Sequence, residues 1–388
     1  MSEAMDKRIP LSEPEISGNE WKYVKECLDT GWVSYLGEYV NRFEASLAAY
    51  VGSAHAVAVT SGTAALHLAL MLCGVRPGDE VIVPTLTFIA PVNTVAYVGA
   101  VPVFMDADPG TLCMHHEKTS RFLEEECEMR DDGHCYNRTS CRRVKAIMPV
   151  HIFGHPAEIS TLLGLASRFN LQMIEDATES LGSSYAGKYT GTFGACGCFS
   201  FNGNKIMTTG GGGMLVTDNA DLARRARHLS TQAKKDPFEY DHDEIGYNYR
   251  LTNVQAAIGC AQVERLPEFI TRKRDKALLY RELLSGASEA QFLWEKENVY
   301  ANFWFYTLRV PAYMKKGLME HLIAKGIQVR PIWKLIHTLP MYGYCPGYKI
   351  EDAIEAYDTC FNIPCSVGLK NDDVEYVAGL ITQYMKEH

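Results

Sequence analysis

Three groups of residues along the chain have types and spacings that suit chemistry. The first is Ser61-Gly62-Thr63-Ala64, which stands between a short apolar stretch, Ala54–Val59, and an apolar periodic run, Ala64–Cys73. A strand that runs into a helix leaves unpaired N–H groups at the positive end of the helix dipole, so the junction can bind an anion such as phosphate. The same residues also cap a helix well without any ligand. Both interpretations stay open for this motif taken alone.

The second group is acidic and follows another apolar stretch. Leu171–Ile174 ends at Glu175-Asp176, and Glu179 comes one helical turn later. A carboxylate at the end of a buried strand can pair with a cationic ring nitrogen, or it can cap the helix that follows. Glu179 either reaches the same site as Asp176 or faces solvent.

The third group contains a lysine without charged neighbours. Ser200-Phe201-Asn202-Gly203-Asn204-Lys205 is followed by Gly210–Gly213. A lysine is a good carbonyl nucleophile when its amine is neutral, and partial desolvation favours that state. The glycines let the backbone bend tightly, but they do not form the G-x-G-x-x-G fingerprint of dinucleotide sites. Taken alone, Lys205 would be interpreted as a solvated surface lysine. The ordered combination of anion loop, strand-end Asp176, Ser200 and Lys205 favours a nucleophile instead.

The elements that must position these groups alternate between strands and helices. Short apolar or β-branched stretches predict strands at Ala54–Val59, Val81–Pro84, Val101–Phe104, Val144–Val150 and Leu171–Ile174. Helical patterns stand between them, for example at Ile89–Val98 and Ala157–Phe169. Such alternation predicts an α/β fold with a mostly parallel sheet covered on both faces. Ligands of these sheets bind at the carboxyl ends of the strands, which selects Ser61–Thr63, Pro84–Phe88 and Asp176.

The second half of the chain has a different pattern. A long helical region runs from about Leu251 to Leu284, and a mixed segment follows it. We therefore expect a large domain over residues 1–250 and a small C-terminal α+β domain over residues 251–388. The charged segment Arg121–Arg143 interrupts the alternation and predicts a helix followed by a surface loop.

Composition excludes several classes of protein. The net charge of −9 argues against nucleic-acid binding, which usually needs a basic surface. We see neither an apolar run of roughly 20 residues nor a signal peptide, so we expect no membrane association and a cytoplasmic location. The 12 cysteines do not suggest a disulfide framework. We expect no metal, because one polar cluster lacks the paired short loops of zinc sites; its residues are His115, His116, Cys127, His134, Cys135 and Cys141.

Taken together, the motifs resemble the DegT/DnrJ/EryC1/StrS aminotransferases, and the resemblance covers nearly the whole chain. It rests on Ser61–Leu66, Glu175-Asp176-Ala177, Phe199-Ser200-Phe201 with Lys205, and Gly246-Tyr247-Asn248-Tyr249-Arg250. The resemblance implies a fold-type I aminotransferase dependent on pyridoxal 5′-phosphate (PLP), which becomes pyridoxamine 5′-phosphate in the half-reaction. It further implies a mostly parallel seven-stranded sheet in the large domain.

The roles of the family's residues can be carried over by position. The resemblance implies that Lys205 forms the Schiff base with the cofactor, and that Asp176 pairs with the pyridine nitrogen. Phe88 matches the aromatic residue stacked on the ring, and Glu179 matches a contact to the ring hydroxyl region. The phosphate cradle corresponds to Gly62, Thr63, Ala64 and Ser200.

Other matches concern the partner subunit and the substrate. Asn248 matches a residue that reaches the phosphate in the neighbouring subunit, which implies a homodimer with shared active sites. The implied substrates are L-glutamate and a nucleotide-linked keto sugar. Candidate sugar-nucleotide contacts are Trp32, Tyr35, Arg330 and His337, with ordinary packing or surface charge as the alternative.

Within the family, Asn202–Lys205 and the glycines resemble enzymes that make 4-amino-4,6-dideoxy-N-acetylhexosamines. The insertion Arg121–Arg143, followed by Pro149-Val150-His151, is similar to the legionaminic-acid branch. Many members carry Gly-Glu-Gly-Gly in place of Gly210–Gly213, and this departure argues against a close match to perosamine-type enzymes. The alternatives are another nucleotide-sugar aminotransferase, of perosamine or 3-amino-sugar type, or a non-catalytic regulatory protein. A sugar dehydratase is disfavoured because Lys205 is present where dehydratases have histidine.

Overall fold

The large sheet is the scaffold on which the candidate site is built. The computed structural model describes residues 8–236, 238–287 and 289–388, and elements are numbered in chain order. In these residues the sheet has eight strands, which lie in the order β1 (His55–Val59), β11 (Gly213–Thr217), β10 (Cys196–Ser200), β7 (Gln172–Asp176), β6 (Val144–Ile147), β2 (Glu80–Pro84), β3 (Val101–Met105) and β16 (Gly347–Tyr348). Neighbouring strands are parallel, except that β11 is antiparallel to both β1 and β10. The predicted α/β fold is confirmed.

Both faces of this sheet are buried by helices. In β2, Val81 and Val83 pack into one apolar cluster and Ile82 packs into another, because successive strand side chains point to opposite faces. The first cluster includes residues of α3 (Gly62–Leu72), α4 (Ile89–Tyr97) and α7 (Ala220–Ser230). The opposite face is covered by α1 (Glu20–Thr30), α2 (Glu38–Val51), α5 (His116–Glu125), α6 (Ile159–Arg168) and α8 (Asn253–Leu284).

The sequence pattern located five strands of this sheet and missed three. The five predicted stretches correspond to β1, β2, β3, β6 and β7. Strands β10 and β11 were not predicted because glycine stands at or next to the start of each, and glycine favours strands weakly. The expected number was seven, and β16 adds the eighth. Its two residues come from the C-terminal part of the chain and pair with β3 at the edge of the sheet.

The insertion near Arg121–Arg143 is a helix followed by a hairpin, so the predicted surface loop is wrong. After α5, strands β4 (Cys127–Met129) and β5 (Cys135–Asn137) pair antiparallel. The amide of Asn137 donates to Glu80 at 2.9 Å, which ties the hairpin to the start of β2. Cys127 and Cys135 are buried.

The C-terminal part has its own antiparallel sheet. Its strands lie in the order β12 (Gln291–Phe292), β14 (Tyr306–Arg309), β17 (Cys360–Ile363) and β15 (Arg330–Pro331), accompanied by α9 (Ala312–Ala324), α10 (Asp352–Thr359) and α11 (Asn371–Glu387). Short strands β13 (Val299–Tyr300), β8 (Ser184–Tyr185) and β9 (Lys188–Tyr189) form a third sheet. The division at residue 250 stays a prediction. Among the helices in the described ranges, none has the length and apolar character needed to span a bilayer.

Candidate active site

A cavity of about 350 Å³ lies at the carboxyl ends of β1, β7 and β10. The structure brings together seven of the predicted site residues in its wall, namely Gly62, Thr63, Phe88, Asp176, Glu179, Ser200 and Lys205. The strand-end rule applied to the sequence therefore found the correct edge of the sheet. Other lining residues come from the C-terminal part of the chain, and these are Trp304, Phe305 and Trp333.

One wall of the cavity is the N-terminus of α3. Ser61 is the N-cap, and its Oγ accepts a hydrogen bond from the amide of Ala64 at 3.0 Å. The cap and the anion site are therefore compatible, because Gly62 and Thr63 line the cavity while the cap is formed. The side chain of Ala64 is buried in the core instead of lining the cavity.

Close backbone packing shapes this wall. A Cβ atom on Gly213 would lie 2.4 Å from the carbonyl oxygen of Ser61, and one on Gly62 would lie 2.8 Å from Ser200 Cβ. Glycine at both positions lets three segments of backbone meet in a small cradle. The N-terminus of α3 at this cradle suits a phosphate group.

Asp176 supplies a buried carboxylate at the end of β7. The residue is 2% exposed, and its Oδ1 accepts from the amide of Thr178 at 3.1 Å. Burial raises the pKa of this carboxyl, although the hydrogen bonds from Thr178 and the charge of Lys205 oppose the shift. A cation placed beside Asp176 would therefore gain a strong partner.

Glu175 lies on the opposite side of β7 and holds the strand end in place. It accepts hydrogen bonds from the amides of Gly191, Phe193 and Gly194, and it pairs with Nε2 of His151 at 3.0 Å. Burial would raise the pKa of Glu175, but the hydrogen bonds from His151 and the amides lower it overall. This network could not be predicted from local sequence patterns, because its amide donors come from a loop that only the fold brings near.

The amine of Lys205 lies between a carboxylate and an aromatic ring. Its Nζ is 3.6 Å from Oε1 of Glu179 and 3.9 Å from the centroid of the Trp304 ring. Burial lowers the pKa of Lys205, whereas the charges of Glu179 and Asp176 oppose this effect. The cavity therefore favours the neutral, nucleophilic amine more than water would.

Glu179 is the second buried carboxylate of the cavity. Its Oε2 accepts from the amide of Phe153 at 2.8 Å. Burial raises the pKa of Glu179 to about 7, even though the ammonium of Lys205 acts in the opposite direction. Glu179 can therefore accept or release a proton near neutral pH.

Aromatic rings form the remaining wall. Phe88 is 52% exposed, so one face of its ring is available to a bound planar group. Trp333 contacts Phe88 edge to face, with centroids 5.8 Å apart. Neither Trp304 nor Trp333 was singled out from the sequence. The aromatic run Phe303-Trp304-Phe305 was the available signal, but only the fold shows that it reaches Lys205.

Besides Ala64, five predicted residues lie outside the cavity wall. Trp32 and Tyr35 are exposed, and Arg330 lies exposed on β15, where it donates to the carbonyl of Val329. His337 packs behind β2, with its Nδ1 2.6 Å from Thr85 Oγ1. The fifth residue is Asn248, which is also exposed.

The cavity fits PLP by the chemistry of its side chains. The glycine cradle and the N-terminus of α3 would hold the phosphate, and Asp176 would pair with a protonated ring nitrogen. Phe88 offers a ring face, and the amine of Lys205 is a suitable partner for an aldehyde.

Comparison with known proteins agrees with this fit. The family model of the DegT/DnrJ/EryC1/StrS aminotransferases matches residues 14–382. The chain belongs to this family. It is thus a PLP-dependent sugar aminotransferase, and the sequence-based expectation of family, enzyme class and cofactor is confirmed.

Individual members of the DegT/DnrJ/EryC1/StrS family match over nearly their full length. A GDP-perosamine synthase of Escherichia coli O157:H7 is 40% identical over 385 residues, covering 98% of this chain and 100% of the relative. The GDP-perosamine synthase of Caulobacter vibrioides is 38% identical, with 97% and 98% covered. The structure of a putative sugar aminotransferase, Spr1654 from Streptococcus pneumoniae in its PLP form, superimposes with a TM-score of 0.88 at 25% identity, covering 98% of this chain and 99% of that chain.

Removing the charge of Glu179 should make the amine of Lys205 reactive at lower pH. In Glu179→Gln the carboxylate that raises the pKa of Lys205 is gone, while the shape of the side chain is kept. We expect competitive acetylation of Lys205 in the cofactor-free protein, read by peptide mass spectrometry, to reach half its maximum at lower pH than in wild type. Lys316 is 88% exposed and serves as the internal reference. An unchanged profile would contradict the assigned electrostatics.

A methyl group on Gly213 should weaken cofactor binding. Its Cβ would meet the Ser61 backbone at 2.4 Å, so Gly213→Ala must displace the phosphate cradle. We expect about ten-fold weaker PLP binding, because overpacking costs on the order of 1–3 kcal/mol. Equilibrium titration of the cofactor-free protein measures this change. Gly203→Ala is the matched control, since a Cβ there meets nothing within 4 Å; equal affinity in the two variants would refute the cradle.

Proposed function

We propose that this protein transfers an amino group from L-glutamate to C4 of a nucleotide-linked 4-keto-6-deoxyhexose, in a reaction of the perosamine type. The observation that carries the proposal is the amine of Lys205 in a cavity that also contains buried Asp176. The C4 position is supported by the two full-length relatives named GDP-perosamine synthase.

The comparisons favour this alternative over the legionaminic-acid branch that the sequence motifs suggested. The departure at Gly210–Gly213 had argued against the perosamine type, and the identities of 40% and 38% outweigh that argument. A Cβ on Gly211 would lie 3.5 Å from its nearest neighbour, the side-chain amide of Gln255. Members with and without a side chain at this position can therefore share the same backbone. The half-reaction assay below also tests the alternative substrate, an N-acetylated hexose.

Each site residue has a defined task in this proposal. PLP, when bound, supplies an aldehyde for amine exchange and a ring that accepts electrons. Asp176 keeps the ring nitrogen protonated, because a buried carboxylate strongly favours an adjacent cation. Lys205 takes the proton from Cα of the amino donor at its Nζ and returns a proton on the sugar side. The low polarity around Lys205 favours the neutral amine that this step requires.

The same proposal includes a homodimer with shared active sites. Asn248 is exposed in one protomer, and nearby in the chain are exposed apolar side chains of Phe238, Tyr240 and Ile245, with exposures of 92%, 89% and 82%. Apolar residues grouped in this way are typical of protein interfaces. If a second subunit covers this segment, Asn248 of the first subunit lies near the phosphate cradle of the second. The cytoplasmic location stays a prediction.

A half-reaction assay tests the substrate. Protein in the pyridoxamine form is offered GDP-, UDP- and dTDP-linked 4-keto-6-deoxyhexoses, with and without an N-acetyl group. We expect the GDP-linked sugar without an N-acetyl group to restore the PLP absorbance and to yield a 4-amino product by NMR. Conversion of the N-acetylated sugar alone would support the legionaminic-type substrate instead. The Lys205→Ala variant should show no conversion with any sugar, because it lacks the amine that moves the proton.

Subunit complementation tests the shared site. Lys205→Ala and Asn248→Ala homodimers should each have low activity. After the subunits are mixed and exchanged, heterodimers contain one site with both defects and one intact site. We expect activity to rise to about a quarter of wild type, because random exchange gives half heterodimers. No rise despite exchange confirmed by mass spectrometry would exclude a role for Asn248 in the neighbouring site.

A further inference from the structure

A fully buried amide joins the C-terminal part of the chain to the cavity. Asn302 is 0% exposed and lies between β13 and β14. Its Nδ2 donates to the carbonyls of Glu179 at 3.0 Å and Leu181 at 2.9 Å. Its Oδ1 accepts from the amide of Trp304 at 2.8 Å. Both side-chain N–H groups and the oxygen therefore have partners, as expected of an amide that fixes its surroundings.

Asn302 also contacts the turn that holds the carboxylate of Glu179. Its backbone amide donates to Ser183 Oγ at 2.9 Å, and this hydroxyl donates to the carbonyl of Gly154 at 2.7 Å. A Cβ on Gly154, whose φ is +95°, would lie 1.9 Å from Asn302 Oδ1. The preceding residue, Phe153, donates its amide to Glu179 Oε2. Asn302 thus restrains the backbone of Glu179 directly and its carboxylate through the turn.

A second set of contacts runs from Asn302 through Trp304 to Lys205. The indole Nε1 donates to the carbonyl of Asn204 at 2.7 Å, one residue before the lysine. The ring of Trp304 stacks on Phe305 with centroids 4.1 Å apart, and its face lies 3.9 Å from Lys205 Nζ. A cation over an indole face is attracted to the ring, so Trp304 stabilises the ammonium form.

We propose that Asn302 is a positioning residue, which holds Glu179 and Trp304 on two sides of the Lys205 amine and so sets its protonation and direction. The charged groups that face this amine are Glu179 and Asp176, and Asp176 in turn faces His151. Of these two residues, only Glu179 is bound by Asn302, whose Nδ2 donates to the Glu179 carbonyl. The inference rests on the proposed function for its catalytic meaning, but its test needs neither cofactor nor sugar.

Competitive acetylation of the cofactor-free, full-length protein tests the proposal. In Asn302→Ala, Glu179 and Trp304 are released, and the ammonium loses part of its stabilisation. We expect the half-maximal pH for acetylation of Lys205 to fall, as in Glu179→Gln, with roughly two- to five-fold faster labelling at a fixed pH below it. Lys316 again provides the reference.

Two further variants separate positioning from general stability. Asn362 is also a buried asparagine of the C-terminal sheet, 3% exposed, and its Oδ1 accepts from Thr307 Oγ1 at 2.8 Å. Asn362→Ala should lower the melting temperature and leave the acetylation profile of Lys205 unchanged. Ser183→Ala removes the hydroxyl that accepts from the Asn302 backbone amide and donates to Gly154, and should shift the profile in the same direction as Asn302→Ala but less. It keeps the test usable if Asn302→Ala does not fold.

A double-mutant cycle decides whether Asn302 acts through Glu179. The shift caused by Asn302→Ala should be smaller in the Glu179→Gln background than in wild type, because one of the two groups it positions is already neutral. An unchanged profile in both Asn302→Ala and Ser183→Ala, or a shift that is equally large without the Glu179 charge, would overturn the proposal. The half-reaction assay tests the sugar substrate separately, so the failure of one conclusion is distinguishable from the failure of the other.

Discussion

The burial of three ionisable groups in one cavity is the constraint on which the active site depends. Asp176, Glu179 and Lys205 are removed from water together, and desolvation disfavours the charged form of each. The attraction of the Lys205 ammonium to each carboxylate offsets part of this cost, whereas the two carboxylates repel each other. The result is an amine that can become neutral and a carboxylate, Glu179, with a pKa of about 7. A surface lysine beside surface carboxylates would have neither property.

Backbone geometry makes this burial possible. Strands β7 and β10 end side by side in parallel, so that Asp176 and Ser200 arrive at the same edge of the sheet. The antiparallel strand β11 then brings Gly213 against Ser61, where only a hydrogen atom fits. The carboxylate of Glu175 satisfies three backbone amides of the loop that precedes β10, so these donors are not left unpaired next to the sheet.

The C-terminal part of the chain completes the site. Trp304 and Trp333 close the cavity over residues that the large sheet provides, and Asn302 connects Trp304 to Glu179 through hydrogen bonds. The cavity of this protein therefore depends on contacts between distant parts of the sequence.

The sequence by itself determined the α/β class and five strands of the sheet, and it singled out Ser61–Thr63, Asp176 and Lys205, which line one cavity. These could be predicted because apolar periodicity and strand-end position are local properties, and Ser61–Thr63, Asp176 and Lys205 stand in ordered motifs. Only the tertiary structure placed β10, β11 and β16, replaced the expected loop with the β4–β5 hairpin, and showed that Trp304 reaches Lys205 while Asn302 contacts Glu179 and Trp304. Those features depend on pairing and packing between segments up to hundreds of residues apart, and local sequence patterns carry no record of such contacts.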